Sequence, residues 1–134
     1  MVLISSSPRA PEAGYAVLGA VLGALGVAAG AFGTHALQGT LPETGLRIFE
    51  TAARYQMFHS VALVSLGLAP FGAGAPAARW AARLFAAGTF LFSGSLYALA
   101  LTGERAWGLL TPFGGVAWIV AWVLLAVAAW RARG

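Results

Sequence analysis

The 134-residue sequence contains no cysteine, no lysine and no aspartate. Lack of cysteine excludes disulfides, thiolate metal sites, iron–sulfur ligation and a cysteine nucleophile. Lack of lysine excludes the phosphate-cradling Gly-x-x-x-x-Gly-Lys loop. Lack of aspartate excludes a Ser-His-Asp triad, and the plentiful serines include no Gly-x-Ser-x-Gly elbow. Charge of either sign is also scarce. Only 9% of residues are charged, against about a quarter in an ordinary soluble domain, which is too little polar material to cover a water-facing surface. The formal charge of +4 and isoelectric point near 10.8 do not read as nucleic-acid binding, because the arginines are scattered in ones and twos with no basic block. No nucleic-acid partner is expected, and the arginines read as orienting, lipid-facing charges.

What is abundant is hydrocarbon. Sixty per cent of residues are hydrophobic, and they gather into four apolar stretches at 13–32, 55–71, 80–101 and 112–130. Each is close to the ~20 residues with which an α-helix crosses the ~30 Å hydrocarbon layer, where every backbone polar group must be satisfied internally. The sequence therefore predicts an all-α integral membrane protein with four transmembrane helices and an amphipathic helical segment between the first and second. Residues 13–134 form one domain behind a flexible N-terminal tail over 1–12. Arg9 ahead of the first apolar run, with Thr34-His35-Ala36 behind it, loosely imitates an export signal. The run is longer than the usual signal core of about 7–15 residues, so a retained span is expected.

Orientation follows from where arginine falls. With both termini on one side, that side holds Arg9, Arg79, Arg83, Arg131 and Arg133, and the other holds Arg47, Arg54 and Arg105. Basic residues favour the cytoplasm, so both termini are expected there. Trp80, Trp107 and Trp130 fall at span ends, where an indole buries its ring and wets its N–H, while Trp118 and Trp122 lie deeper on one face of the last helix.

The first span carries a packing signal. Gly19, Gly23, Gly26, Gly30 and Gly33 are spaced four, three, four and three apart, which sets five glycines in one seam and lets another helix approach closely, either within the bundle or from another subunit. Between the first two spans, Thr40 and Glu43 fit a capping box with Pro42 in the first turn. Glu43, Arg47, Glu50 and Arg54 then line one wet stripe as alternating charges. On the opposite face come Tyr55, Gln56, His59 and Ser60. They are expected to point toward the other helices, with His59 roughly 8 Å beyond Arg54 at ~1.5 Å per residue. An ionisable group at that depth is a functional candidate, weighed against a neutral, hydrogen-bonded core histidine.

His35 is the only other histidine. It emerges on the same side as His59, and with Glu43 or Glu50 the two could hold a divalent metal or flank a haem. Two histidines without a spacing motif are weak candidates, and no metal or cofactor is expected. In the third span Thr89, Ser93 and Tyr97 recur every four residues, a stripe suited to interhelical hydrogen bonds. The fourth begins with Thr111-Pro112, a cap and first turn, followed by Gly114-Gly115 for close contact with a neighbour.

Four motifs in order carry a family resemblance: Gly30-Ala31-Phe32-Gly33-Thr34-His35-Ala36-Leu37, Tyr55-Gln56-Met57-Phe58-His59-Ser60, Phe92-Ser93-Gly94-Ser95-Leu96-Tyr97 and Thr111-Pro112-Phe113-Gly114-Gly115. Over about Gly14 to Trp130 the chain resembles the domain-of-unknown-function 423 family of small bacterial inner-membrane proteins, related to the eukaryotic transmembrane protein 256. Thr34 stands where alanine is expected, and residues 1–12 look like an addition. The resemblance implies four membrane helices in a bacterial inner (plasma) membrane. It implies no activity and carries over no catalytic residues.

Two functions stay open. One is a non-enzymatic structural or interaction protein whose glycine-rich faces pack with copies of itself, membrane lipids or a membrane-protein partner. The other is a transporter or channel for a small solute, proton or lipid, with a polar track of Tyr55, Gln56, His59, Ser60, Thr89, Ser93 and Tyr97 and with His59 relaying charge. An enzyme is disfavoured for want of paired carboxylates or a nucleophile with its base.

Overall fold

The computed structural model describes residues 13–69 and 75–134, so the tail expected over 1–12 and the end of the second apolar stretch lie outside the described residues. Among them the chain forms four helical rods and no strand. The first is α1, Ala13–His35. It stops at a tight turn in which Thr40 N and Leu41 N both donate to the Leu37 carbonyl, and Gly39 supplies the left-handed φ of 80° that a side chain would resist. The second rod is α2, Glu43–Leu68.

The third rod has three parts: α3, Pro76–Gly88, a π-helical turn over Thr89–Ser93, and α4, Gly94–Thr102. It ends on Gly103, left-handed at φ 71°, whose N–H closes on the Leu99 carbonyl. A 3₁₀ turn over Arg105–Leu109, capped by Glu104 Oε1 on Ala106 N at 3.2 Å, leads into α5, Thr111–Arg131.

The amphipathic segment and the second apolar stretch are one helix, because nothing between Glu43 and Leu68 breaks it. Of its charge ladder only Glu43 and Arg47 pair, at 3.2 Å and well exposed, where such a contact is worth less than about 1 kcal/mol. Two expected caps are not made. Helix α2 is capped by Pro42, with no side-chain bond; Thr40 lies two residues before the cap, with its N–H in the preceding turn. Thr111 sits inside α5, with Leu110 at the cap, and its hydroxyl pairs with Ser95 Oγ at 2.6 Å instead.

Three rods are long and apolar enough to cross a membrane, Ala13–Gly33, Pro76–Thr102 and Arg105–Arg131. Helix α2 is not among them, because it carries four charges together with Gln56 and His59. It nonetheless lies at the centre, running antiparallel along α1. A Cβ at Gly19 would come within 2.8 Å of Val64 N, one at Gly26 within 2.8 Å of Met57 Sδ, and one at Gly33 within 2.7 Å of the Phe49 ring. Two apolar cores result. The larger joins Leu63, Leu66, Ala81, Phe85, Trp118 and Ala121, and a smaller one at the other end joins Leu37, Phe49 and Ala100. The outside is itself apolar, with Val17, Phe58, Phe113, Ile119 and Trp130 all exposed, the reverse of a water-facing bundle.

Candidate functional site

The polar residues singled out from the sequence fall into two groups on neighbouring flanks of the inward face of α2. The first centres on Gln56, which is buried. Its Nε2 donates to the Leu22 carbonyl of α1 at 2.7 Å, and its Oε1 accepts from the Tyr97 hydroxyl of α4 at 2.8 Å. Both amide atoms are thereby assigned, since a backbone carbonyl can only accept. Ser93 donates across to the Ala52 carbonyl of α2 at 2.8 Å. Ser60 and Thr89 turn back on their own helices, to the carbonyls of Gln56 at 2.6 Å and Phe85 at 2.9 Å. Alongside runs an open groove of about 350 Å³, whose wall includes Leu22, Leu25, Phe49, Gln56, Ser93 and Tyr97.

The second group surrounds His59. Its Nδ1 lies 2.7 Å from the Tyr55 carbonyl, so Nδ1 carries the hydrogen and, in the neutral ring, Nε2 is a bare lone pair. The imidazole stacks on the Trp118 indole with ring centroids 3.6 Å apart and planes 2° from parallel. Phe85 and Trp122 close in at 5.9 and 6.1 Å. Trp118 is buried over Gly88, where a Cβ would come within 2.7 Å of its Nε1, and that Nε1 donates to the Phe85 carbonyl at 3.3 Å.

Tyr55 departs from the inward orientation expected of it. It is 41% exposed, because it follows Arg54 at a rotation of about 100° before Gln56 and so reaches only the rim. There its ring stacks beside Trp118 at 6.0 Å and meets Phe92 at 5.3 Å. No hydrogen bond among the described residues joins His59 to the Gln56, Ser93 and Tyr97 group, and His59 does not line the groove. The seven polar residues thus do not form one file.

The two histidines are also apart. Gly33, two residues before His35, faces Phe49, and His59 lies ten residues further along α2, ~15 Å at the helical rise. A metal bond is only about 2.1 Å long. Among the described residues no three of His, Cys, Asp and Glu cluster. The aromatic partners Phe85, Phe92 and Trp118 had little signal in the sequence. Only the i, i+4 spacing of Trp118 and Trp122 hinted at an inward ring face.

Comparison with known proteins supplies the remaining findings. The family model described as "Protein of unknown function (DUF423)" matches residues 29–115. The chain is 40% identical over 120 residues to UPF0382 membrane protein SAB0533 of Staphylococcus aureus, covering 90% of this chain and 98% of that protein. It is 40% identical over 116 residues to UPF0382 membrane protein YwdK of Bacillus subtilis, covering 86% and 94%. To UPF0382 inner membrane protein YgdD of Escherichia coli K12 it is 38% identical over 117 residues, covering 87% and 89%. No solved structure matches. The family match takes in the end of the glycine seam, all of α2 and the Thr111–Gly115 turn into α5, stopping short of Trp118 and Trp122, and with full-length relatives at this identity the chain belongs to the DUF423 family.

Proposed function

We propose that this membrane protein is a non-enzymatic, multi-pass resident of the bacterial inner membrane. In this reading it serves as a structural or interaction module that packs with copies of itself, with lipid or with a membrane partner. The observation that carries it is the closure of the buried polar network. Among the described residues no enclosed side-chain nitrogen or oxygen lacks a partner. Gln56, Ser60, Thr89 and Ser93 each donate to protein. A conduit needs a continuous file of polar groups left over for a passing solute, whereas a docking module needs its fully enclosed ones silenced and hydrocarbon outside.

In the same reading α2 is the fourth span. It lies against α1 from Phe49 to Val64, so both helices occupy the same depth. Its polar side chains Gln56, His59 and Ser60 are buried, while Phe58, Val61 and Leu68 face outward. The glycines Gly19, Gly23, Gly26 and Gly33 then serve contact inside the bundle, while a Cβ at Gly30 would meet nothing within 4 Å. The arginine count of five against three supports both termini in the cytoplasm, and the want of paired carboxylates or of a nucleophile with its base supports a role without catalysis.

The competing relay through His59 is separated by flux. Full-length protein reconstituted in vesicles should pass neither protons nor small solutes above empty vesicles, and His59→Ala should leave that baseline unmoved. Saturable flux that disappears in a stably folded His59→Ala protein would establish the relay and overturn the docking reading.

A further inference from the structure

His59 keeps one atom that the fold does not use. Its Nδ1 is committed to the Tyr55 carbonyl, but Nε2 has no partner among the described residues. Enclosed side-chain nitrogens without a partner do not occur among those residues, so Nε2 must reach the surface of the bundle. It does so through a narrow opening, since His59 as a whole is only 7% exposed. Two half-exposed aromatic rings stand near the imidazole, Tyr55 with its centroid 6.3 Å away and Trp122 at 6.1 Å. The planes of Trp122 and the imidazole are 63° apart, and Trp122 keeps 47% of its surface outside.

We propose that His59 Nε2 is the recognition atom of a binding site, open to the lipid, for a neutral hydroxyl group carried by a lipid-soluble molecule. The chemistry follows from the lone pair. With Nδ1–H fixed, Nε2 can only accept, so the ligand must donate. The rings around the imidazole, Tyr55, Phe85, Trp118 and Trp122, carry no charge that could offset an ionic head group in hydrocarbon. A bare acceptor in oil costs free energy that an O–H donor recovers. Depth narrows the class further. Five residues below Arg54, roughly 8 Å at the helical rise, the site lies beneath the level of phospholipid head groups, so the donor is an alcohol or phenol that dissolves in the membrane. Tyr55 and Trp122 offer ring faces and edges to the body of such a molecule, contacts worth about 0.5–1.5 kcal/mol each.

The site rests on the placement of α2 within the bilayer and on no particular docking partner. Its test is nitrogen NMR on full-length protein carrying His35→Gln, so that His59 is the only histidine, in phosphatidylcholine nanodiscs. The expected spectrum is that of a neutral ring protonated at Nδ1, whose hydrogen exchanges slowly with water. Adding decylhydroquinone or farnesol should move the Nε2 resonance saturably toward that of a hydrogen-bonded acceptor and leave Nδ1 in place. A response to the first probe alone defines a phenol site, and a response to both defines a general hydroxyl site. Trp122→Ala should weaken the response about fivefold, the equivalent of one aromatic contact, without changing the tautomer.

A hydrogen on Nε2, or a slowly exchanging Nδ1–H with no response to either probe, overturns the site. So does an Nε2 already hydrogen-bonded before any probe is added. Fast exchange of Nδ1–H with water would instead show that α2 is not in the bilayer, which distinguishes failure of the topology from failure of the site.

Discussion

Gln56 is the residue on which three rods converge. One side-chain amide ties α2 to α1 through the Leu22 carbonyl and to α4 through the Tyr97 hydroxyl. Its own carbonyl receives Ser60. Tyr97→Phe removes a single oxygen and leaves Gln56 Oε1 facing apolar surface, so it should destabilise the bundle by about 1 kcal/mol, within the range of intramembrane hydrogen bonds that reaches ~1.7 kcal/mol. Gln56→Leu should cost more, because it releases both bonds. Combined, the two changes should cost less than their sum, since the same bond cannot be lost twice. Reversible unfolding in mixed detergent measures all three proteins, and strictly additive costs would show that the contact carries no energy. The inward placing of Gln56, His59 and Ser60 was legible from their helical spacing opposite the charge ladder. The choice of partners was not, because Tyr97 and Leu22 come to Gln56 only through the relative depth and rotation of other rods.

The elements are held by glycines that act singly as much as by the regular seam on α1. The seam was visible because its period is that of a helix. Gly67 and Gly88 were not, because what each meets lies on a different rod, whereas the Gly114-Gly115 pair was expected to lie close to a neighbour and Gly114 does. A Cβ at Gly67 would strike the Ala16 backbone, and one at Gly114 the Phe92 backbone at the π-helical turn. Backbone cannot swing aside as a side chain can. Gly67→Ala and Gly114→Ala should therefore each cost about 1–3 kcal/mol or force the rods apart. Gly94→Ala is the matched control. It sits in helical backbone with no atom within 4 Å of the added carbon, and should be neutral or gain up to ~1 kcal/mol of helix propensity. Thermal unfolding in detergent ranks the three, and a Gly94→Ala protein as unstable as Gly114→Ala would remove the steric explanation. The same dependence on other rods accounts for the caps. Thr111 fits a cap by local rules, yet Ser95 on α4 takes its hydroxyl.

For the whole molecule the open quantity is how many times the chain crosses the bilayer, and α2 decides it. Three rods qualify on length and composition alone. Helix α2 is depressed by charges at its start and by polar groups that the bundle hides, so hydropathy understates what its outer face offers to lipid. The two counts predict different geometries. If α2 crosses, the loop after α1 and the end of α5 are separated by three crossings and lie on opposite sides. If α2 only rests on one surface, two crossings separate them and they share a side. Thr40 in that loop and Ala132 just beyond α5 are both exposed, and the chain has no native thiol to interfere. Single substitutions Thr40→Cys and Ala132→Cys, probed in intact cells with a thiol reagent that cannot cross the membrane, should label at Thr40→Cys alone. Labelling of both, or of neither until the cells are opened, would reduce the spans to three and put His59 outside the hydrocarbon. Labelling of Ala132→Cys alone would keep four spans but invert the molecule, against the five-to-three arginine bias.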